Sequence, residues 1–535
     1  MAWLLLLIAC GSPRPSTRSP KEPARTDSGA PTTTALTWTL EPSVRRPDDV
    51  WFARAVDLDL SAPATVDVHL ESDSDAIDWS FEVEPGPTTL PLVGLLPDAL
   101  FEGTLTATDG VTTLEVPLDI ATEGLPEDYP LLEPLVHEPG QMSPGWTFLP
   151  FDGIAWGRYF AALDRQLRPR WLWIPPNPVT EGRVQDGIVW WIGGGAIQGH
   201  TLLGEPVAKY RHWGDGDAGT TLVEGVRSFH HEAYPLVDGF LTLSTTLRDV
   251  ESFPTRDLSS VRPATLLSST VVELDLDGQV RRQVDLADVL DTSRVSWSSF
   301  EQVEREEGEV LDWSHANAVV PTPDGAWLVS LRHQDALVKL DPTGDVHWIL
   351  GTPEGWRTPW SELLLEPDGE LEWPFHPHAP EILDDGGILL FDNHNYGTTP
   401  YSPPVGMPPR QRSRLVIYDI DETRGTVSQR WSLEELTDSE VFAFALGDAD
   451  ALPNGNILGV WGWVQSEQGV AYEDMGRGIR GARIVEVDPS DDTLVLDLRM
   501  TSADYDTHRV GWSAYRAQRL ESLHPALTQW SEPAP

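Results

Sequence analysis

Residues 323–350 read PDGAWLVSLRHQDALVKLDPTGDVHWIL and hold one complete structural unit. An Asp-Gly pair opens an apolar run, WLVSL, and a second run, ALVKL, closes on Asp341. Asx-Gly favours tight hairpins, because both central positions of the preferred turn take φ > 0. Working outward, the first half of the unit recurs as FDGIAWG, QDGIVWWIGG, VDGFLTLS, DDGGILLF and PNGNILGVWG. The second half recurs as YFAALDRQ, VVELDLDGQV, LVIYDIDE and IVEVDPSDD. Six copies of the first half, with no helical periodicity between them, predict an all-β chain folded as a six-bladed β-propeller over residues 123–535. The spacing is uneven, and the widest interval, about 245–312, is expected to be an excursion from one blade. An array of β-sandwiches is the competing architecture.

Residues 36–122 carry a different pattern. TVDVHL, WSFEVE, FEGTLTAT and TTLEVPLDI alternate apolar and polar residues and are separated by turn signals, as in a sandwich. LVGLLPDALFEGTLTATDG resembles the late strands of a fibronectin type III-like module, so a small N-terminal β-sandwich domain is expected here. Residues 11–35, rich in Ser, Pro, Thr and charge, suit a flexible linker. Residues 1–10, MAWLLLLIAC, resemble the lipobox of a bacterial lipoprotein signal, although no Lys or Arg precedes the apolar run. The run is too short to span a bilayer. Cys10 is the expected lipidation site, which implies export and a periplasmic or outer-membrane-anchored location. It is also the only cysteine, so no intramolecular disulfide forms.

Acidic residues outnumber basic ones by 84 to 37, a formal charge of −47 over 535 residues. Such a surface repels nucleic acid and anionic headgroups, leaving an N-terminal lipid as the one expected membrane contact. The only lysines are Lys21, Lys209 and Lys339, and no GxxxxGK[ST] phosphate loop exists. Twenty-three tryptophans and 40% hydrophobic residues exclude a mainly disordered chain.

Candidate chemistry lies in the histidines. They recur at one phase of the repeat, just before the strand that carries the Asx-Gly turn: FHHEAYPLVDG (His230, His231), DWSHANAVVPTPDG (His315) and FHPHAPEILDDGG (His376, His378). GDADALPNGN puts Asp448 at the same phase. Equivalent positions on successive blades converge on a central channel. Arg332, in SLRHQ, is expected to return beside His315 across the PDG turn, offering a permanently charged fork of donors to an oxyanion. The expected constellation is cationic imidazoles plus a guanidinium. Metal binding is the chemical rival, with His376-x-His378 on one strand face and Glu232 as a third ligand. Arg332 is a poor neighbour for a dication, so no metal is expected. A hydrolase triad lacks a GxSxG elbow. A propeller that binds only at its rim has no use for an imidazole-lined channel.

DWSHANAV, SLRHQDALVKLDPTGDVHWILG, PHAPEILDDGGILLFDNHNYG, FHHEAYPLVDGFLTL and LPNGNIL together resemble the bacterial arylsulfotransferases of the phosphoadenosine-independent type. The resemblance implies a β-sandwich followed by a six-bladed propeller. It also implies transfer of a sulfuryl group from a phenolic sulfate to a phenol through a covalent sulfohistidine, with ping-pong kinetics and neither nucleotide nor cofactor. By position it assigns His378 as nucleophile and His315 with Asn317 as the His-x-Asn that contacts substrate. Arg332 becomes the sulfate-binding cation, with His333 next to it, and His231 the supporting histidine, a place His230 also fits. Two departures stand out: FDNHNYG has His394 where the family has glycine, and Asp448 replaces a later polar contact. The expected partners are small phenolic molecules, and the sequence leaves monomer and homodimer open. A phenol leaves with a pKa of about 10, against 15.7 for water, a gap worth roughly 8 kcal/mol. Phenolic sulfates are therefore the favoured donors.

Overall fold

The computed structural model describes residues 35–153, 158–214, 218–305, 308–395, 401, 412–437, 439–467, 470–471, 479–501 and 511–530. Cys10, its leader and residues 11–34 of the linker lie outside the described residues. The chain is all-β: among the described residues, one four-residue helix, Leu286–Val289, and two 3-10 turns stand among the strands.

Two sheets form the N-terminal region. Trp38–Arg45, Ala53–Leu60 and Gly86–Val93 make the first. Asp75–Val83, Ala64–Ser72, Leu100–Thr108 and Thr113–Ala121 make the second, and Leu527–Trp530, from the far end of the chain, pairs with Asp75–Val83 at its edge. Burial alternates along Ala64–Ser72 and Asp75–Val83, because successive side chains of a strand point to opposite faces. Val66, Leu70, Ile77 and Trp79 join Leu58 and Leu90 in one core, which continues into Phe148 and Trp171.

The repeat produces successive antiparallel sheets. In the specimen unit, Ala316–Pro321 pairs with Trp327–Leu331, that with Ala336–Leu340, and that with Val346–Gly351. The six strands that open these sheets are Trp146–Gly153, Val179–Gln185, His230–Leu236, Ala316–Pro321, Pro377–Ile382 and Asp448–Ala451, and each packs on the next. Trp512–Ala514 pairs with Trp146–Gly153 and packs on Ile457–Glu467, so the last sheet of the series meets the first. Leu131–His137 adds to the last sheet through Thr493–Thr501. The interval 245–312 is filled by a long hairpin, Gly239–Pro254 with Val261–Asp275, followed by the short pair Gln302–Arg305 and Gly308–Asp312.

The turn chemistry differs from expectation in the specimen unit. Gly325 has φ 85°, whereas Asp324 stays on the negative side, and the Gly325 N–H donates to the Thr322 carbonyl. Pro323 fixes its φ near −65° and sits at the first central position, so the loop is a common turn closed by a left-handed glycine. The two-residue form, with both residues left-handed, occurs at Asp186 (φ 51°) and Gly187 (φ 75°).

Candidate active site

The opening strands share a distortion at their starts. His231 (φ 58°), His315 (φ 43°) and His376 (φ 54°) all lie in the left-handed region. The ladders slip beside them, between His230 and Ala233, Ala316 and Ala318, and His378 and Glu381. A non-glycine residue in this region is uncommon, and such strain collects at functional sites. The kink turns side chains that the pleat would send into a sheet toward the neighbouring strand.

There the imidazoles meet. The His231 and His315 ring centroids are 5.0 Å apart, and those of His315 and His333 are 4.4 Å apart. Tyr515 packs between strands, 6.2 Å from His231 and 6.5 Å from His378. The backbone N–H of Arg332 donates to the His315 carbonyl at 3.2 Å, so the PDG hairpin returns the chain beside the start of its own strand.

Hydrogen bonds fix the tautomers. The Ser244 carbonyl accepts from His230 Nε2 at 3.1 Å, which leaves His230 Nδ1 to accept from His231 Nδ1 at 2.8 Å. His378 Nδ1 donates to the His376 carbonyl at 3.2 Å, and His315 Nδ1 to Asp312 Oδ2 at 2.6 Å. The neutral ring of each of His231, His315 and His378 thus carries its lone pair on Nε2.

Electrostatics correct the expected cationic set. Burial holds His231 well below the usual imidazole range, reinforced by His315, His230 and His378. Burial, then Arg332 and His315, does the same to His378, with Asn393 opposing. His333 and His376 are likewise lowered, first by burial. Rings this close and this dry cannot all be charged. Burial alone raises Asp312, but His315 and His333 pull it well below the carboxylate range. Asp312 is therefore ionised beside His315.

Arg332, buried, donates from Nη1 to His333 Nε2 at 2.7 Å and from Nη2 to the Phe444 carbonyl at 3.4 Å. Asn317 Nδ2 donates to the Pro377 carbonyl at 2.8 Å, which also accepts from Ser330 Oγ at 2.8 Å. Asn317 thus ties the strand of His315 to that of His378, and its own carbonyl accepts from the Tyr515 hydroxyl at 3.2 Å. Asp448 accepts from the Ala517 N–H at 3.0 Å and lies 3.8 Å from Arg516.

The expected His376-x-His378 face does not form. His376 precedes the strand, and its ring is 2.8 Å from both Asp335 Oδ1 and Ser298 Oγ. Glu232 is held by Arg183 at 2.7 Å and Arg516 at 2.6 Å. Asp312, His315 and His333 do bring three ligand atoms within 4.8 Å of one another. Both His333 nitrogens are engaged, however: Nδ1 donates to the Asp312 carbonyl at 2.6 Å, and Nε2 accepts from Arg332. An ion there would sit against a guanidinium.

Sequence reasoning gave no role to Asp312 and Tyr515. Asp312 was legible in Asp-x-x-His; nothing local marks Tyr515.

The model of the arylsulfotransferase (ASST) family matches residues 155–512, a span that contains every histidine described above. The chain belongs to the arylsulfotransferase family. Within it, the arylsulfate sulfotransferase AssT of Escherichia coli O6:H1 is 29% identical over 142 residues, covering 23% of each chain. AssT of Lelliottia amnigena is 24% identical over 271 residues, covering 41% of this arylsulfotransferase-family chain and 44% of the relative. The chain thus spans less than half the length of the curated relatives it matches. Among solved structures, a Bacteroides caccae protein of unknown function is similar at 12% identity and TM-score 0.36, covering 70% of this chain and 98% of that one. A quinoprotein alcohol dehydrogenase-like protein from Bacteroides thetaiotaomicron is similar at 8% identity and TM-score 0.31, covering 89% and 99%.

Proposed function

We propose that this arylsulfotransferase-family protein moves a sulfuryl group from an aryl sulfate to a phenol through a sulfohistidine on His378, in a ping-pong cycle. The observation that carries the reading is the buried His378 ring, whose Nδ1 donates to the His376 carbonyl and leaves the lone pair on Nε2, close enough to Arg332 and His315 for both to lower its basicity. The curated relatives are named arylsulfate sulfotransferases, which supports the donor class.

In the first half-reaction the Nε2 lone pair of His378 attacks sulfur, an N–S bond forms, and the S–O bond to the aryl group breaks. The departing aryl oxide takes the Nε2 proton of His315, which enters this half-reaction as the imidazolium paired with Asp312 and leaves it neutral. In the second, His315 removes the proton of the incoming phenol, whose oxygen attacks sulfur while the N–S bond breaks. His315 suits this work because Asp312 holds the Nδ1–H of the neutral ring and stabilises the imidazolium that the second half-reaction restores. Arg332, desolvated and permanently charged, faces the charge on the sulfuryl oxygens. His231, whose Nδ1 is bonded to His230, presents its Nε2 lone pair as the second acceptor in the same space.

The same reading takes the closed succession of six sheets as a six-bladed propeller behind a fibronectin type III-like sandwich. It takes the protein as exported, anchored through lipid on Cys10. Incubation with a chromogenic aryl sulfate, followed by proteolysis and mass spectrometry, tests the central claim. The expected result is sulfonation of the peptide containing His378, discharged on adding phenol and absent in His378→Asn. Transfer at the wild-type rate in His378→Asn refutes it.

A further inference from the structure

We infer that His394, with Asp392, Glu372 and Arg414, forms a positioning set for His378, in which an imidazolium held between two carboxylates locks the turn leading into the nucleophile. This rests on His378 being the group that reacts. His394 is the residue of FDNHNYG that departs from the family resemblance, and nothing in the mechanism above uses it.

The ring is 2% exposed and its backbone is left-handed, φ 57°. Nδ1 lies 2.9 Å from Asp392 Oδ2, and Nε2 lies 3.2 Å from Glu372 Oε1. A ring with a carboxylate at each nitrogen carries both protons. Arg414 completes the square, with Nε 2.9 Å from Asp392 Oδ2 and Nη1 2.8 Å from Glu372 Oε2. Asp392, His394 and Arg414 are buried together with the half-exposed Glu372 at their edge, and removing one cation leaves the buried Asp392 carboxylate less compensated.

The set grips the chain on both sides of the nucleophile. Asp392 Oδ1 accepts the N–H groups of Phe375 and His394, each at 2.9 Å, and the His394 N–H also donates to the Phe375 carbonyl at 2.8 Å. Arg414 Nη2 donates to the carbonyls of Glu372 at 2.9 Å and Trp373 at 3.4 Å. Residues 372–375 are thereby fixed immediately before His376, whose carbonyl sets the His378 tautomer. Across the ladder, Asp392 pairs with Pro377 and Phe391 with His378.

Among the described residues, the charged groups facing His394 are Asp392, Glu372 and Arg414. Behind Arg414 stand the Tyr418 hydroxyl, 3.1 Å from Nη2, and Glu434, 4.0 Å from Nη1. The Phe375 ring packs at 5.5 Å. Burial opposes the charge on His394, but Asp392 and Glu372 outweigh it and hold the imidazole above its ordinary range. Its folded value exceeds its unfolded one, so the contribution is complete at low pH and lost as pH rises through the folded value.

The test combines kinetics with nitrogen-15 histidine NMR on the full chain. His394→Gln is expected to lose about 10²-fold in kcat with donor KM little changed, to lose the alkaline limb that His394 contributes, and to blur the Nδ1–H tautomer of His378. His394→Gly, which the left-handed backbone accepts without strain, carries the same test if the glutamine variant does not fold. It is expected to regain turnover with added imidazole below the alkaline limb. Wild-type kcat, pH profile and His378 tautomer in either variant overturn the proposal. The tautomer is read without substrate, so failure of this inference is distinguishable from failure of the transfer reading.

Discussion

Asp312 Oδ2 lies 2.6 Å from Nδ1 of His315, and the carboxylate is held ionised although buried. In the proposed cycle the pair carries the proton: the carboxylate orients the ring, and Nε2 exchanges a proton with the phenolic oxygen. Asp312→Asn is predicted to lower kcat by about 10²–10⁴-fold, the usual worth of general acid–base catalysis. The folded carboxyl titrates below its unfolded value of about 3.9. Its stabilisation is therefore present above that value and lost as pH falls through the folded one. Denaturant melts should show the wild type more stable than Asp312→Asn at pH 7, with the gap closing below about pH 4. A gap that persists in acid contradicts the pairing.

Arg332→Ala removes both the guanidinium and the donor to His333. A loss of about 10²–10³-fold in kcat/KM is expected, as for one donor to a developing oxyanion. Arg332→Lys should restore little, because a point charge does not reproduce a fork aimed at His333 and the Phe444 carbonyl. Steady-state kinetics with an aryl sulfate decide it, and an unchanged kcat/KM removes the anion-binding role.

Chelator is predicted to leave turnover intact. The three-ligand group Asp312, His315 and His333 is occupied by its own hydrogen bonds and faces Arg332. Loss of activity in chelator, restored by zinc alone, would favour the metal rival.

The fold was legible wherever the signal was local. Asp186-Gly187, Asp324-Gly325, Asp385-Gly386 and Asn454-Gly455 mark hairpins, because glycine takes the left-handed position at no cost. The turn type in the specimen unit was missed because Pro323 shifts the centre of the loop by one residue. The phase of His231, His315 and His376 was legible because each opens its strand with the same left-handed turn. Their protonation was not, since it depends on burial and on rings 4.4–5.0 Å away that no window of sequence places together. Tyr515 was invisible for a related reason: its partner Asn317 is 198 residues distant. Asn317 illustrates the converse, since His-x-Asn was noticed as a substrate contact, while its amide nitrogen ties two strands through the Pro377 carbonyl.

Asp448 gives the last prediction, which runs opposite in sign to that for Asp312. Burial, with Asp450 adding to it and Arg516 opposing, pushes the Asp448 carboxyl up to about 8. Between the unfolded value of about 3.9 and that point, the folded chain binds a proton that the unfolded chain does not. Stability from this group therefore falls as pH rises across the window. Glu181, Glu381 and Asp450 are raised as well, each chiefly by burial, and add to the same slope. The Tm should rise as pH is lowered from 8 to 6, before acid unfolding begins elsewhere. Asp448→Asn, which keeps the shape without the charge, should flatten that rise and melt higher than wild type at pH 8. Thermal melts at pH 6, 7 and 8 suffice, and parallel curves for the two proteins would show that Asp448 is ionised throughout.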